Sequence, residues 1–361
     1  MIIFQRIHIE LTNRCNFSCK FCPDGIMARS HQDMDIALLG KVLDEIAQER
    51  LTDTVYFHLM GEPTLYPNLF EAVRFAKDKG LKVSLTTNGW AFTPELMGPV
   101  LSTGIDEILF SIQTPDAVSF RLRRAAIRFE EYKKRTQAAI ALAIKNGGAK
   151  VILSFLTTPA PFLLPTKQYR IVSRKKELVE AFLSWVDGIA AALPNTFSDR
   201  IANSKAVLTK RLSAFSMSGW NKLSVTDKFS LETRVLGDWV HRGLTDDRVV
   251  GATVGSCEGL QNHMGILSNG DMVFCCVDYD GKTRFGNAGE ISIKDALEQP
   301  KVKDVLEGFS KFRVKHPYCK RCLGDVGIFH SLARQVGSIV YFKLYRPLWE
   351  DHRRKEEVLC P

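Results

Sequence analysis

Five short apolar runs recur through the first half of the chain, and a stretch with helical periodicity follows each of them. The runs Ile7–Leu11, Thr54–Met60, Lys82–Thr86, Glu107–Ser111 and Lys150–Phe155 have the length and β-branched or aromatic content of strands. Between and after them, Asp35–Gln48, Leu69–Lys79, Pro94–Leu101, Phe129–Lys145 and Lys175–Ala192 place apolar residues at three- and four-residue spacing. Strands alternating with helices in units of about 25 to 40 residues predict an α/β fold with a parallel sheet or (β/α) barrel. In such a barrel the active site lies at the carboxyl ends of the strands, so the residues just after each run are the first to inspect.

Composition narrows the class. Apolar residues make up 45% of the chain and charged residues 25%, as in an ordinary globular protein. No run of about 18 uncharged apolar residues occurs, and the amino terminus has no signal-peptide pattern, so the expectation is a cytoplasmic protein with no membrane partner. The net charge of +9 is spread over several local clusters without a recognisable nucleic-acid module, which gives no reason to expect nucleic acid as a partner. The nine cysteines are more informative. They fall into two groups separated by about 235 cysteine-free residues, which is a metal or redox arrangement and not a disulfide scaffold.

The first group follows the first strand: Cys15-Asn-Phe-Ser-Cys19-Lys-Phe-Cys22-Pro23. Three thiols within eight residues can converge on one site if the chain wraps around it. A structural zinc ion wants four ligands, and no histidine lies at a short chelating distance. Three ligands on a four-iron cluster would leave one iron open to an exchangeable ligand.

Cys15-x3-Cys19-x2-Cys22, with Phe21 before the last cysteine, resembles the signature of the radical S-adenosylmethionine (SAM) superfamily. The resemblance implies a partial (β/α)6 TIM-like barrel and a [4Fe–4S] cluster on Cys15, Cys19 and Cys22. It also implies reductive cleavage of SAM to a 5′-deoxyadenosyl radical that takes a hydrogen atom from substrate, with a flavodoxin- or ferredoxin-type electron donor. Four further fragments at strand ends agree with it. Gly61-Glu62-Pro63 resembles the family's methionine-contacting motif, with Met60 replacing its first glycine and His58 close by. Thr86-Thr87-Asn88-Gly89 is a common companion, Ser111 with Gln113 matches the ribose-binding position, and Ile152–Phe155 stands where the family contacts adenine. Phe21, Gly61, Glu62, Pro63, Asn88, Ser111 and Gln113 are therefore the expected cofactor contacts.

The second group comprises Cys257, Cys275, Cys276, Cys319 and Cys322, with Asn269-Gly270-Asp271 forming a hairpin-type turn before Met272–Cys275. Spacing alone leaves a zinc ribbon and an iron–sulfur cluster about equally open. Cys257-x12-Gly270-x4-Cys275, with Phe285-Gly-Asn287 ahead of a helix near Ile293, resembles the SPASM extension of radical SAM enzymes. After Cys319-x2-Cys322 only Cys360 remains, which resembles the shortened "twitch" form with one auxiliary [4Fe–4S] cluster. The expected ligands are Cys257, Cys275, Cys319 and Cys322. Cys276 would point to the opposite face if the strand continued, and Cys360 is expected to have no role.

The implied organisation is a barrel core over residues 1–160, the remainder of the barrel with a helical insertion over 161–250, a SPASM/twitch domain over 251–330 and an extension over 331–361. Residues 158–250 carry an expected loop at Pro159–Pro165 and mostly amphipathic helix; the sixth barrel strand is not legible there. A saturated auxiliary cluster can accept an electron but not bind substrate, so the expected chemistry is oxidation. The substrate is expected to be a small metabolite of sugar or aminocyclitol type, as in aminocyclitol-oxidising members of the family. A peptide is the alternative, although the chain starts at the first barrel strand without room for a leader-binding domain. A non-catalytic zinc or iron–sulfur protein would explain the cysteines but not Gly61-Glu62-Pro63 or Ser111.

Overall fold

The computed structural model describes residues 3–158, 169–237, 239–241 and 248–350. The expected Pro159–Pro165 loop and Cys360 lie outside them. In chain order the first elements are β1 (Arg6–Ile9), α1 (Ile36–Gln48), β2 (Thr54–Phe57), α2 (Leu69–Asp78), β3 (Lys82–Thr87), α3 (Pro94–Ser102), β4 (Glu107–Gln113), α4 (Ala117–Phe120), α5 (Phe129–Asn146) and β5 (Lys150–Thr157). They are followed by α6 (Lys175–Ala191), α7 (Asn195–Ser213), β6 (Asn221–Ser224), β7 (Phe229–Val235), β8 (His263–Ile266), β9 (Asp271–Val273) and β10 (Gly286–Asn287). The chain closes with α8 (Ile293–Leu297), α9 (Pro300–Ser310), α10 (Pro317–Leu323) and α11 (Ile328–Val340).

All five expected strands and all five expected helices form, with ends that reflect local chemistry. Asp35 is the N-cap of α1 and not its first residue, because its carboxylate accepts from the Ala37 and Leu38 amides at 2.9 Å. The second strand ends at Phe57, three residues early, and the chain turns through His58–Gly61. The strand missing from the sequence reading is β7. Its residues Phe229, Leu231 and Thr233 are buried and alternate with the polar Ser230, Glu232 and Arg234, but it follows two helices and pairs with β6 in a hairpin, outside the strand–helix rhythm of the first half.

The chain divides into two compact units. The unit containing residues 15–22 and 83–237 has β3, β4, β5 and β7 in parallel, with β6 antiparallel at the edge. One face of this sheet packs on helices: the Phe155 ring stacks on Phe182 of α6 at 4.3 Å and meets Trp185 edge-on at 6.0 Å. That apolar face holds the unit together. The opposite face carries Ser84, Glu107, Ser111, Ser154 and Glu232 at every second position along their strands.

The unit containing residues 3–14, 23–82 and 239–350 has β8, β1 and β2 in parallel. β9 and β10 add to β8 in antiparallel succession. Ile7 and Ile9 of β1 and Val55 and Phe57 of β2 are fully buried. Of the alternate residues, the His8 ring lies 5.3 Å from that of Tyr56 and 5.6 Å from that of His263 on β8, centre to centre. Among the described residues no helix is long and apolar enough to cross a membrane.

Candidate active site

The Cys15–Cys22 loop has no regular secondary structure beyond a turn in which the Cys22 amide donates to the Cys19 carbonyl at 3.0 Å. An irregular backbone is what lets three thiols at these spacings turn toward one centre. The three thiols are partly exposed and none is in a disulfide. The Phe17 amide donates to the Cys15 sulfur at 3.4 Å, and Asn88 Nδ2 approaches the same sulfur at 4.0 Å. Donors aimed at sulfur favour the thiolate form and suit a cluster ligand.

Asn88 is held by its own contacts. Its Nδ2 donates to Asn16 Oδ1 at 2.8 Å, its Oδ1 accepts from the Trp90 amide, and its carbonyl accepts from the Tyr132 hydroxyl at 2.6 Å. The β3 end is thus bonded to the cysteine loop.

A second tie comes from a residue the sequence reading did not single out. At the end of β4 the register with β5 shifts between Ser111 and Gln113, and Gln113 adopts φ +63°. Such a bulge re-aims side chains at a strand end. Gln113 Oε1 accepts from buried Arg123, whose guanidinium carbon lies 4.8 Å from the centroid of Phe17, in the cysteine loop. The Lys20 amide also donates to the Leu122 carbonyl at 2.8 Å. The signal was present only as the basic run Arg121–Arg128, which composition reads as a solvated face.

Ser111 pairs laterally with Ser154, and Ser154 with Glu232, so three polar side chains form one row across β4, β5 and β7. Ser154 Oγ donates to Glu232 Oε1 at 3.0 Å, and Arg234 Nε donates to the same oxygen at 2.7 Å. Burial pushes the Glu232 carboxyl up, but Arg234 outweighs it, with Trp220 and Lys222 assisting, so the group is held below its ordinary value and stays ionised at neutral pH. Period-two alternation in Phe229–Val235 was the signal that could have found it.

In the other unit Gly61 has φ +74°, and a Cβ there would sit 2.3 Å from the Thr12 carbonyl oxygen. Only glycine fits, and the Glu62 amide then donates to the Arg14 carbonyl at 2.8 Å. Glu62 is buried, with Oε1 accepting from the Thr64 amide at 3.2 Å and hydroxyl at 2.8 Å, and Pro63 starts the short 3-10 turn beside it. Phe21, in the cysteine loop of the first unit, is also buried. His58 lies with its ring centroid 6.1 Å from that of His8. Burial lowers the His8 pKa, reinforced by His263, His58 and Arg6; His263 is lowered to about 4, by burial and then Arg6. His8 and His263 are therefore neutral at pH 7. Neither was singled out in the sequence.

The same unit gathers the second set of thiols. The hairpin turn forms at Gly270 with φ +85°, and β10 pairs Gly286 with Met272. Cys319 and Cys322 share one face of α10 at i, i+3. Tyr318 of α10 donates to the Val277 carbonyl at 3.0 Å, bringing the helix to the Cys275–Cys276 turn. The Gly259 amide donates to the Cys257 sulfur at 3.4 Å, and a Cβ on Gly259 would lie 3.2 Å from Cys275 Cβ. Burial raises the thiol of Cys275 well above its ordinary value, with Cys257, Cys276, Cys322 and Cys319 adding to it; Cys257 and Cys319 are raised by burial first as well. Grouped thiols that oppose one another's ionisation fit a centre whose iron charge compensates four thiolates. Among the described residues no three Cys, His, Asp or Glu side chains close on a single-ion site. One expectation changes: β9 stops at Val273, so strand alternation does not set Cys276 against Cys275. Both lie in the following turn.

Two groups of reduced thiols beside parallel sheets are the parts of an iron–sulfur protein. Residues 9–159 match the radical SAM superfamily and residues 257–323 match SPASM, an iron–sulfur cluster-binding domain. The chain is a radical SAM enzyme with a SPASM domain, and its cofactors are SAM and [4Fe–4S] clusters. It is 32% identical to a tungsten-containing aldehyde ferredoxin oxidoreductase cofactor-modifying protein of Pyrococcus furiosus, over 29% of this chain and 30% of that one. It is also 32% identical to a PqqA peptide cyclase of Ruegeria pomeroyi, over 40% of this chain and 37% of that one. The alignments thus span about a third of these curated relatives. In fold it is similar to SuiB of Streptococcus suis solved with S-adenosylmethionine, with a TM-score of 0.54, 16% identity, and coverage of 92% of this chain and 74% of that one.

Proposed function

We propose that this enzyme oxidises a small polar metabolite of sugar or aminocyclitol type, using an auxiliary cluster as electron acceptor. The observation that carries the reading is the buried carboxylate of Glu232, fixed by Ser154 and Arg234 on the sheet face away from the helices and next in line to the Ser111 and Ser154 positions assigned to SAM. A fixed carboxylate of this kind suits hydroxyl and amino groups and is poor for apolar side chains. When bound, SAM and its cluster supply the radical that removes one hydrogen atom from a substrate carbon, and the auxiliary cluster takes the remaining electron. In this reading Cys15, Cys19 and Cys22 hold the first cluster, and Cys257, Cys275, Cys319 and Cys322 the second. Phe21, Gly61, Glu62, Pro63 and Asn88 shape the SAM site, Ser111 and Gln113 hold the ribose, and Ile152–Phe155 meets the adenine. Ionised Glu232, fixed by Arg234, binds a substrate hydroxyl or ammonium. Glu232, ionised and bound to the substrate hydroxyl, is also the group that takes the proton released by oxidation of an alcohol. A flavodoxin- or ferredoxin-type protein supplies the reducing electron.

The test is anaerobic turnover of the reconstituted enzyme with SAM, reductant and a panel of deuterated polyols and aminocyclitols. Deuterium in 5′-deoxyadenosine, with Glu232→Gln raising KM while uncoupled SAM cleavage persists, is the expected result. A second reading, peptide modification, is favoured by the PqqA peptide cyclase among the relatives and by SuiB having also been solved with its precursor peptide SuiA. Deuterium transfer only from labelled peptides would replace the first reading with the second.

A further inference from the structure

Soon after β4 the chain runs Ala117-Val-Ser-Phe-Arg-Leu-Arg-Arg-Ala-Ala-Ile-Arg-Phe129, with four arginines and no acidic residue. Arg123 is buried against the Phe17 ring and bonded to Gln113, so it serves the fold. The other three, Arg121, Arg124 and Arg128, are exposed and line one open pocket of about 420 Å³, with Phe120 and Ile127 in its wall. No acidic residue lines it. Asp116 caps α4, its carboxylate accepting from the Val118 and Ser119 amides and the Ser119 hydroxyl, and Glu130 and Glu131 lie beyond the lining in the first turn of α5. Exposed lysines elsewhere pair with carboxylates, as Lys205 does with Asp187 and Lys311 with Glu307. Among the described residues none of these three guanidinium groups has an ion-pair or hydrogen-bond partner. Arg124 also holds φ +48°, a left-handed conformation that disfavours a residue with a Cβ. Three unpaired cations around one concavity repel one another, and an anionic partner relieves that repulsion.

The surroundings of the pocket indicate which anion. The cysteine loop rests on the same segment. Phe120, in the pocket wall, meets the ring of Phe17, between Cys15 and Cys19, edge-on at 6.2 Å. The Leu122 carbonyl accepts from the amide of Lys20, between Cys19 and Cys22, at 2.8 Å. A partner seated on the pocket is thus one aromatic layer from the loop that holds the first cluster. The border is apolar as well as cationic, since Val118, beside Ala117 of the lining, is 75% exposed. Arginines around exposed apolar side chains are the make-up of a protein–protein interface, where opposite charge steers the encounter. Small ligands instead take sites that enclose most of their surface.

We propose that Arg121, Arg124 and Arg128 form the docking surface for an acidic one-electron carrier protein that reduces the first cluster. The proposal rests on the reading that an external protein supplies the reducing electron. In the step, the docked carrier is oxidised by one electron and the cluster on Cys15, Cys19 and Cys22 is reduced by one. No covalent bond forms between the two proteins.

The experiment measures binding of a purified acidic flavodoxin and an acidic ferredoxin to the reconstituted full-length enzyme by calorimetry. In parallel, SAM cleavage is driven by each reduced carrier or by dithionite. At least one carrier should bind, more weakly at high salt. Arg121→Glu together with Arg128→Glu should lower that affinity and the carrier-driven cleavage at least about tenfold, with iron content, circular dichroism and dithionite-driven cleavage unchanged. Dithionite reaches the cluster without docking, so structural damage would lower both reactions. Arg121→Gln together with Arg128→Gln, with a smaller loss in the same direction, serves if the charge reversal fails to fold. Carrier-driven cleavage that the variants leave intact would overturn the docking site and leave the donor reading standing. Dithionite-driven cleavage with no binding or cleavage by either carrier would overturn the donor reading itself. Binding of inorganic pyrophosphate that the variants abolish, with carrier binding unchanged, would assign the pocket to a small anion instead.

Discussion

At the scale of single residues, two positions show how sequence identity translates into measurable behaviour. Gly61 occupies a left-handed conformation against the Thr12 and Arg14 carbonyls. Gly61→Ala should therefore destabilise the protein by about 2 kcal/mol or more, read by chemical denaturation, and should weaken SAM binding in equilibrium dialysis. His263 has a folded pKa of about 4 against an ordinary 6.5, with burial as the leading cause. Below pH 6.5 the unfolded chain takes up a proton that the folded chain refuses, so stability should fall as pH drops from about 6.5 to 4. The loss from this one group approaches about 3 kcal/mol at the acid end. Melting temperatures measured across that range should decline steeply for the native protein and less for His263→Phe; parallel declines would show that His263 is not the group responsible. Gly61 was legible in the sequence because its motif and its conformation coincide. His263 was not, since a lone histidine in Gln261-Asn-His-Met264 acquires its environment only when β8 pairs with β1.

At the scale of elements, the two cysteine groups differ in what supports them. The first sits in an irregular loop whose shape is kept by a bond from Asn88 at the end of β3 and by Arg123, which Gln113 holds against the Phe17 ring. The second is distributed over the Cys257 loop, the turn after β9 and one face of α10. If these thiols hold a separate cluster, Cys257→Ala together with Cys319→Ala should lower iron from about eight to about four per chain. SAM cleavage by the remaining cluster should persist. Iron unchanged in the double variant would remove those two cysteines from the ligand set. Strands β1 to β5 and the helices between them were legible because each is long enough to show its period. Residues 221–235 were not, because their alternation sits in a hairpin that follows two long helices and breaks the strand–helix rhythm of the first half.

At the scale of the whole molecule, distant segments are joined by groups that no local pattern announces. Glu10, whose side chain is fully buried, accepts both terminal nitrogens of Arg29 at 2.8 and 2.9 Å, and also the Ser268 amide and hydroxyl and the Met60 amide. One carboxylate thus ties β1, the segment after the cysteine loop, the turn after β2 and the end of β8. Glu10→Gln would leave the nearly buried Arg29 without its counter-charge and should destabilise the fold by about 3 kcal/mol, measured as a shift in the denaturation midpoint with an unchanged slope. An unchanged midpoint would mean that Arg29 finds another partner. The sequence by itself determined the α/β class, the cysteine groups and the Gly61-Glu62-Pro63 turn, because periodicity, chelate spacing and glycine's backbone freedom are local properties. Only the tertiary structure decided which polar residues share a face. Ser111, Ser154 and Glu232 meet through strand register, Glu10 meets Arg29 and Ser268 through chain folding, and Gln335 and Ser338 of α11 turn inward because the amides of Thr253, Val254 and Ser256 need partners. Those are long-range pairings, and a pairing between segments tens or hundreds of residues apart leaves no period in either of them.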